Sequence, residues 1–399
     1  MKKRILFVDD EINVLDGLRR MLRTMRHEWD MQFAPSARDA MTLMRESSFD
    51  LIVSDMRMPE INGVQLLSQV KECCPGTIRI ILSGHADSDL TLRAVGVAHQ
   101  FLSKPCDAET LIGTVVRATE LRSLLSNTRL EQIVTQIGAL PSLPGLYSQV
   151  VEELETISPS VHKVGEIVAR DISMSAKVLQ IVNSAFFGLP RSISNPVEAV
   201  AHLGIEKLQL LVLSIHAFSR FEPTGAGLES ADQLWAHSAA TGAMARRIAE
   251  AEQVNRRMTD EAFAAGTLHD IGKLILASTL PDELARARRL AADQRIPTWH
   301  AELEVFGSTH AAVGAYMLGL WGLPDPIVEA VAFHHRPSDF PRSSFGALTA
   351  VHVADAIDLG RRGIEYTGEA SAVDEACLAK LKLASRLPIW CEVCAQGGR

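Results

Sequence analysis

Four short apolar runs, each closed by a polar or charged residue, constrain this chain more than any other feature. They are Leu6-Phe7-Val8-Asp9-Asp10-Glu11, Asp50-Leu51-Ile52-Val53-Ser54-Asp55, Ile80-Ile81-Leu82-Ser83-Gly84 and Phe101-Leu102-Ser103-Lys104-Pro105. Runs this short and continuous read as strands buried on both faces, as in a parallel sheet. Helical patterns at 11–26, 37–45 and 63–72 lie between them, the first with Val14, Leu18 and Leu22 on one face. That alternation specifies α/β architecture. The carboxyl ends of parallel strands open into one crevice, so Asp9, Asp10, Asp55, Ser83 and Lys104 converge. Crowded carboxylates repel unless a cation joins them, and Mg²⁺ favours a few carboxylates plus phosphate oxygens. This is chemistry suited to placing a phosphoryl group on a carboxylate.

The order and spacing of these residues resemble the receiver domain of two-component response regulators over roughly residues 1–120. The resemblance implies a flavodoxin-like α/β fold with a five-stranded parallel sheet. It also implies roles. Asp55 is the phospho-acceptor. Asp10 and Asp55 hold Mg²⁺, with Asp9 beside them and the backbone carbonyl of Arg57 as a further ligand. Lys104 pairs with the phosphoryl oxygens, Ser83 hydrogen-bonds the phosphoryl group, and Phe101 is the aromatic that turns inward with it.

The chain has 399 residues, enough for two or three domains. A formal net charge of -8 gives no basic footprint for nucleic acid. No apolar run approaches the roughly 18 residues of a membrane span. The basic start Met1-Lys2-Lys3-Arg4 is followed too soon by Asp9 for a signal peptide, and the expected location is the cytoplasm. Six cysteines in so long a chain make no disulfide framework. The pair Cys391 and Cys394 lacks the second pair that a metal site of this spacing needs and reads as incidental.

Residues 108–137 carry Leu121, Leu124, Leu125, Leu130, Ile133, Val134 and Ile137 at near-helical spacing. Two readings stand: a last receiver helix running on into a connector, or two helices broken near Ser126-Asn127-Thr128. Beyond the turn cluster Pro141-Ser142-Leu143-Pro144-Gly145, strand signals nearly vanish. Helical patterns follow at 161–170, 175–187, 196–203, 206–221, 232–252, 260–278, 281–294, 299–320, 326–334, 348–359 and 373–384. The second half is therefore expected to be all-α.

Within or at the ends of those helices lie His237, His269-Asp270, His310, His334-His335 and Asp355. Imidazole and carboxylate together suit Mn, Fe, Zn or Ni, and helix-borne ligands facing a bundle interior build two-metal sites. Two metals clamp the attacking and leaving oxygens of a phosphoester. This order resembles the HD superfamily of metal-dependent phosphohydrolases. By that resemblance His237, His269, Asp270 and Asp355 form the primary metal site. His310, His334 and His335 serve a second metal, and Lys273 sits near the phosphate. The segment after His335 lacks the Gly-Tyr-Pro of the cyclic-di-GMP phosphodiesterase branch. The HDOD branch matches more of the chain. Leu140-Pro141-Ser142-Leu143-Pro144, Val182-Asn183-Ser184-Ala185-Phe186-Phe187-Gly188, Ala199-Val200-Ala201-His202-Leu203-Gly204 and Trp321-Gly322-Leu323-Pro324 look like its motifs over roughly residues 136–360.

The expected organisation is a receiver at 3–119, a helical connector at 120–135, an HDOD domain at 136–337 and a helical extension at 338–399 that completes an HD-like bundle. The resemblance implies a phosphorelay response regulator with a mostly non-catalytic signalling output. The alternative is a phosphorylation-regulated metal-dependent phosphohydrolase or phosphodiesterase. The implied partners are a sensor histidine kinase, an unidentified protein at the helical domain and a second copy of the chain, with no DNA and no membrane.

Overall fold

The structure is a computed structural model that describes residues 2–84, 94–125, 127–138, 140–184, 189, 191–209, 211–212, 219–220, 231–341, 344–362 and 373–395. Strands β1 (Lys3–Val8), β2 (Trp29–Ala34), β3 (Leu51–Asp55), β4 (Ile78–Ser83) and β5 (Gln100–Ser103) form one parallel sheet in the order β2-β1-β3-β4-β5. Four of them are the apolar runs. The fifth, β2, is an edge strand whose middle residues are only partly buried or exposed, so its sequence carries no continuous apolar run. Helices α1 (Ile12–Met21), α2 (Ala37–Glu46), α3 (Gly63–Cys73) and α4 (Ala108–Glu120) follow β1, β2, β3 and β5. A capping box between Asn62 and Gln65 starts α3. That start lies so close to the sheet that a Cβ on Gly63 would overlap the Asp55 carbonyl.

Segment 108–137 takes the broken form. A turn of 3-10 helix at Leu121–Leu124 ends α4, and α5 (Thr128–Gln136) begins anew with Asn127 accepting from the N–H groups of Arg129 and Leu130. Arg122 pins the break by pairing with Asp50 and Glu131 and donating to the Gly76 carbonyl.

Among the described residues the remainder is built of helices, apart from one two-residue parallel pairing of β6 (Pro141–Ser142) with β7 (Ser219–Arg220). In order come α6 (Pro144–Leu154), α7 (Val161–Val168), α8 (Ile172–Val182), α9 (Pro196–Leu203) and α10 (Ile205–Gln209). Next are α11 (Ala231–Ala251), α12 (Arg256–Leu268), α13 (Ile271–Thr279), α14 (Pro281–Gln294) and α15 (Thr298–Phe306). Then follow α16 (His310–Leu320), α17 (Asp325–Phe333), α18 (Ala347–Arg361), α19 (Glu375–Lys380) and α20 (Leu387–Ala395). Every residue of α8 is buried, which makes it a central helix. It starts earlier than its periodicity suggests because Asp171 caps it, accepting from the Met174 N–H.

Two expected helices prove to be pairs. The pattern at 260–278 divides at His269-Asp270 into α12 and α13. The pattern at 299–320 divides at Gly307, whose φ of +69° ends α15. Of the expected helix at 206–221, α10 forms the start and most of the rest lies outside the described residues. The motif residues Ala185, Phe186, Phe187 and Gly188 also lie outside them. Among the described residues, no helix is long and apolar enough to cross a membrane.

Helices α13 and α16 meet backbone to backbone. A Cβ on Gly272 would overlap the His310 carbonyl and come within 3.0 Å of the Gly314 nitrogen. Neither backbone atom can rotate away, so the helices would have to separate. Gly272→Ala should therefore destabilise the protein by about 3 kcal/mol or more, at or beyond the upper end of ordinary overpacking. Urea unfolding followed by circular dichroism measures this, and a midpoint equal to wild type would contradict the close packing.

Candidate functional site

At the carboxyl edge of the sheet, Asp9 follows β1, Asp55 ends β3, Ser83 ends β4 and Lys104 follows β5. The Lys104 ammonium lies 2.6 Å from Asp9 Oδ2 and also pairs with Asp55 Oδ1. Asp55 Oδ2 accepts from the Arg57 N–H at 2.8 Å, and Asp9 Oδ1 accepts from the Glu11 N–H at 3.0 Å. Burial pushes the Asp55 carboxyl above its usual range, against the pull of Lys104. Burial also opposes the Lys104 charge, but Asp55 and Asp9 outweigh it and raise its pKa. Asp10 and Arg57 are exposed, whereas Asp9, Asp55, Ser83 and Phe101 are buried. Phe101 thus already points inward in this conformation.

The second site is built where the helices break. His237 comes from α11, His269 and Asp270 from the α12–α13 junction, and His310 from the start of α16. His334 and His335 follow α17, and Asp355 comes from α18. Their donor atoms fall into two groups, each gathered within 4.8 Å: Asp270, His310, His334 and His335 in one, and His237, His269 and Asp355 in the other. Asp270 spans both. Its Oδ2 lies 3.4 Å from His269 Nε2 and 3.6 Å from His237 Nε2, while its Oδ1 lies 3.2 Å from His310 Nε2. Lys273 Nζ is 2.9 Å from Asp270 Oδ2.

Hydrogen bonds on the far side of each ring fix what it offers. His269 Nδ1 lies 2.7 Å from the Gly266 carbonyl, and His334 Nδ1 lies 2.8 Å from the Val331 carbonyl. A carbonyl only accepts, so both Nδ1 atoms carry protons, and in the neutral ring it is Nε2 whose lone pair faces the centre. Asp358 holds His237 Nδ1 at 2.7 Å, and Glu302 holds His310 Nδ1 at 2.7 and 2.9 Å. Carboxylates behind ligating imidazoles orient them in this way. The inward nitrogens then crowd. His237 Nε2 and His269 Nε2 are 3.1 Å apart, and His310 Nε2 and His335 Nε2 are 3.0 Å apart. In the first pair both outer nitrogens are already donors, so two facing lone pairs at this distance need a cation between them, either a proton or a metal ion; in the second, one ring can donate to the other. His334 Nε2, Asp355 Oδ2 and both Asp270 oxygens are buried without a well-directed hydrogen bond. Buried orphan acceptors of this composition fit a divalent transition metal.

Protons take that place in the metal-free protein. Burial disfavours the His237 cation, but Asp355 and Asp358 outweigh it and push its pKa up to about 9. Burial likewise opposes His310, but Glu302 and Asp270 bring it to about 9. Burial and the neighbouring His269 push His334 down to about 3. Burial, with His334 and His310 beside it, drives His335 well below its ordinary value. Asp270 is held well below the carboxylate range in spite of burial, by His269 and Lys273.

Two family models match the chain. One, described as the response regulator receiver domain, covers residues 5–116, and the other, described as the HDOD domain, covers residues 140–337. The chain is a response regulator with an HDOD output domain. An uncharacterized protein of Treponema pallidum (strain Nichols) is 24% identical over 67% of this chain and 51% of its own length. The hydrogenase transcriptional regulatory protein HoxA of Cupriavidus necator is 36% identical over 30% of this chain and 25% of its own length. The response regulator thus spans about half or less of these curated relatives. The MmoQ response regulator structure from Methylococcus capsulatus str. Bath superposes with a TM-score of 0.50 at 19% identity, covering 63% of this chain and 98% of that one, which shows the shared fold. Asp355 and Asp358, both on α18, lie beyond the HDOD match and still face the histidines.

Sequence reasoning missed Glu302 and Asp358. Asp358 follows Asp355 by three residues, one helical turn, and was readable as a same-face carboxylate. Glu302 sits in a helix eight residues before His310, and only the turn at Gly307 brings them together.

These shifts set a pH dependence for the metal-free protein. Raised histidine pKa values stabilise the fold fully below the unfolded value of about 6.5, and that contribution is lost as pH rises through about 9. The lowered His334 works oppositely, its contribution being lost as pH falls toward about 3. Stability in chelator should therefore decline from pH 6.5 to 9.5, by roughly 2–3 kcal/mol for each raised histidine. Urea midpoints of wild type and His237→Gln across that range check this. The decline should be shallower in the variant, and identical slopes would contradict the assignment.

Proposed function

We propose that this response regulator is phosphorylated on Asp55 by a histidine kinase and signals through its helical domain, whose buried centre carries divalent metal. The carrying observation is the convergence of Asp9, Asp55 and Lys104 at one sheet edge. Asp9, Asp10, Asp55 and the Arg57 carbonyl would hold Mg²⁺, which would supply the positive charge that crowded carboxylate and phosphate oxygens need. An Asp55 oxygen attacks the phosphorus of the donor's phosphohistidine; the new P–O bond forms as the P–N bond breaks and the imidazole leaves. Lys104 then exchanges its contact with the Asp55 carboxylate for the phosphoryl oxygens, and Ser83 donates to them. The test is intact mass after incubation with Mg²⁺ and a small phosphodonor. Wild type should gain one phosphoryl group and Asp55→Asn none, and equal gain would end the assignment.

In the helical domain, His237, His269 and Asp355 would hold one metal and His310, His334 and His335 a second, with Asp270 between them. A second reading, a metal-dependent phosphohydrolase, draws on Asp270 facing both groups with Lys273 beside it. Six of the seven donors are buried, five of them at 1% exposure or less, which leaves little surface for substrate in this conformation and favours a signalling role. Elemental analysis after dialysis should find bound divalent metal in wild type. Removing Asp270, shared by both groups, should lower affinity by at least the 10- to 100-fold typical of a lost outer-shell partner. Unchanged metal in Asp270→Ala would place the ion elsewhere. The phosphohydrolase reading gains ground only if a phosphoester screen finds turnover that Asp270→Ala abolishes.

A further inference from the structure

Polar side chains are buried where the receiver meets the helical domain. Lys177 on α8 is 2% exposed, and among the described residues its Nζ meets no carboxylate. It donates instead to the Val95 carbonyl of the receiver at 2.9 Å and to the Gly138 carbonyl after α5 at 2.6 Å, beneath the Trp321 ring at 4.5 Å. On the receiver side, Arg79 of β4 and His99 both reach the Thr135 carbonyl of α5, at 2.6 and 2.8 Å. Gln180 of α8 donates to the His99 carbonyl at 3.2 Å. Burial pulls the Lys177 pKa down to about 7, and a buried amine keeps its donors satisfied only where carbonyls are placed to meet them, so the docked arrangement is specific.

One helix joins this interface to the histidine centre. The far end of α16 is the receiver's seat. Its Gly319 carbonyl accepts from Gln100 of β5 at 3.4 Å, Leu121 fills the space a Gly319 side chain would take, and the Tyr316 hydroxyl meets Thr135 Oγ1 at 3.4 Å. The near end begins with His310, which faces Asp270, and Gly272 locks the His310 carbonyl against α13. On the other side, β5 starts at Gln100 and runs directly into Lys104, the residue that clasps Asp9 and Asp55. A helix of eleven residues is a rod about 16 Å long. Packed at both ends, it moves as a unit.

We propose that α16 is the element through which the receiver and the histidine centre control one another. Movement of Lys104 toward a phosphoryl group shifts β5, Gln100 carries the shift to Gly319, and α16 carries it to His310. Linkage makes the effect reciprocal: metal in the centre alters the receiver's preference for the phosphorylated state. The metal half of this inference rests on the reading of His310 as a donor, whereas the helix half does not.

The test uses the full chain in Mg²⁺, with and without beryllium fluoride, which mimics the phosphoryl group. Amide exchange is followed near Asp55 and over 310–320, and Zn²⁺ affinity is measured by chelator competition. Beryllium fluoride should change exchange over 310–320 and shift Zn²⁺ affinity by roughly 5- to 150-fold, the usual range of allosteric coupling. In Gln100→Ala and Lys177→Met, each confirmed as folded by its thermal transition, both responses should fall to less than half while exchange near Asp55 still responds. A wild type that responds near Asp55 but not over 310–320 would overturn the proposal, as would full responses in both variants. Absence of Zn²⁺ binding in wild type would instead overturn the metal reading, and the exchange result would then decide the proposal alone.

Discussion

Asp270 is a buried carboxylate that must be balanced by cations, and the helical domain is arranged around that requirement. Its two oxygens face different imidazoles, with Lys273 beside one of them. The surrounding nitrogens are aimed inward by carbonyls and carboxylates behind them, so the lone pairs have nowhere else to turn. Protons on His237 and His310 satisfy the crowd in the absence of metal, and metal ions would satisfy it by displacing those protons. The same logic governs the receiver at smaller scale, where Lys104 is the cation that reconciles Asp9 with Asp55.

Most of the receiver was legible because its strands are buried on both faces. Each reads as an apolar run, and the residue that ends it is the one that lines the crevice. Edge strand β2 was not legible by that rule, since Asp30 is exposed and Met31, Gln32 and Phe33 are only half-covered. In the helical domain, periodicity located most helices but not the breaks at His269-Asp270 and at Gly307. No proline marks either break; the first has a tertiary reason, whereas the second is set locally by Gly307 with its positive φ and by Thr309, which accepts from the Ala312 N–H to start α16. The first break turns the chain so that adjacent residues present donors to the same centre. The second brings Glu302 behind His310, a pairing that spacing alone does not announce.

The apolar stripe over 108–137 illustrates how sequence and structure complement each other. Its apolar residues run on at near-helical spacing past one receiver helix, and such a stripe needs a packing partner. The partner is α16 of the same chain, reached because Arg122 and Asn127 break the segment and fold α5 back between the domains. Arg79 and Lys177 were less visible. Each lies within an otherwise apolar stretch, and the backbone carbonyls around it, some across the interface, explain why a polar head is tolerated there.

Anomalous diffraction from crystals of the full chain loaded with Mn²⁺ tests the central claim most directly. The account predicts two peaks, one on each side of Asp270, with the His237–His269 and His310–His335 nitrogens as their nearest neighbours. Finding no peak at either position, with the two nitrogen pairs still in direct contact as in the metal-free arrangement, would contradict it.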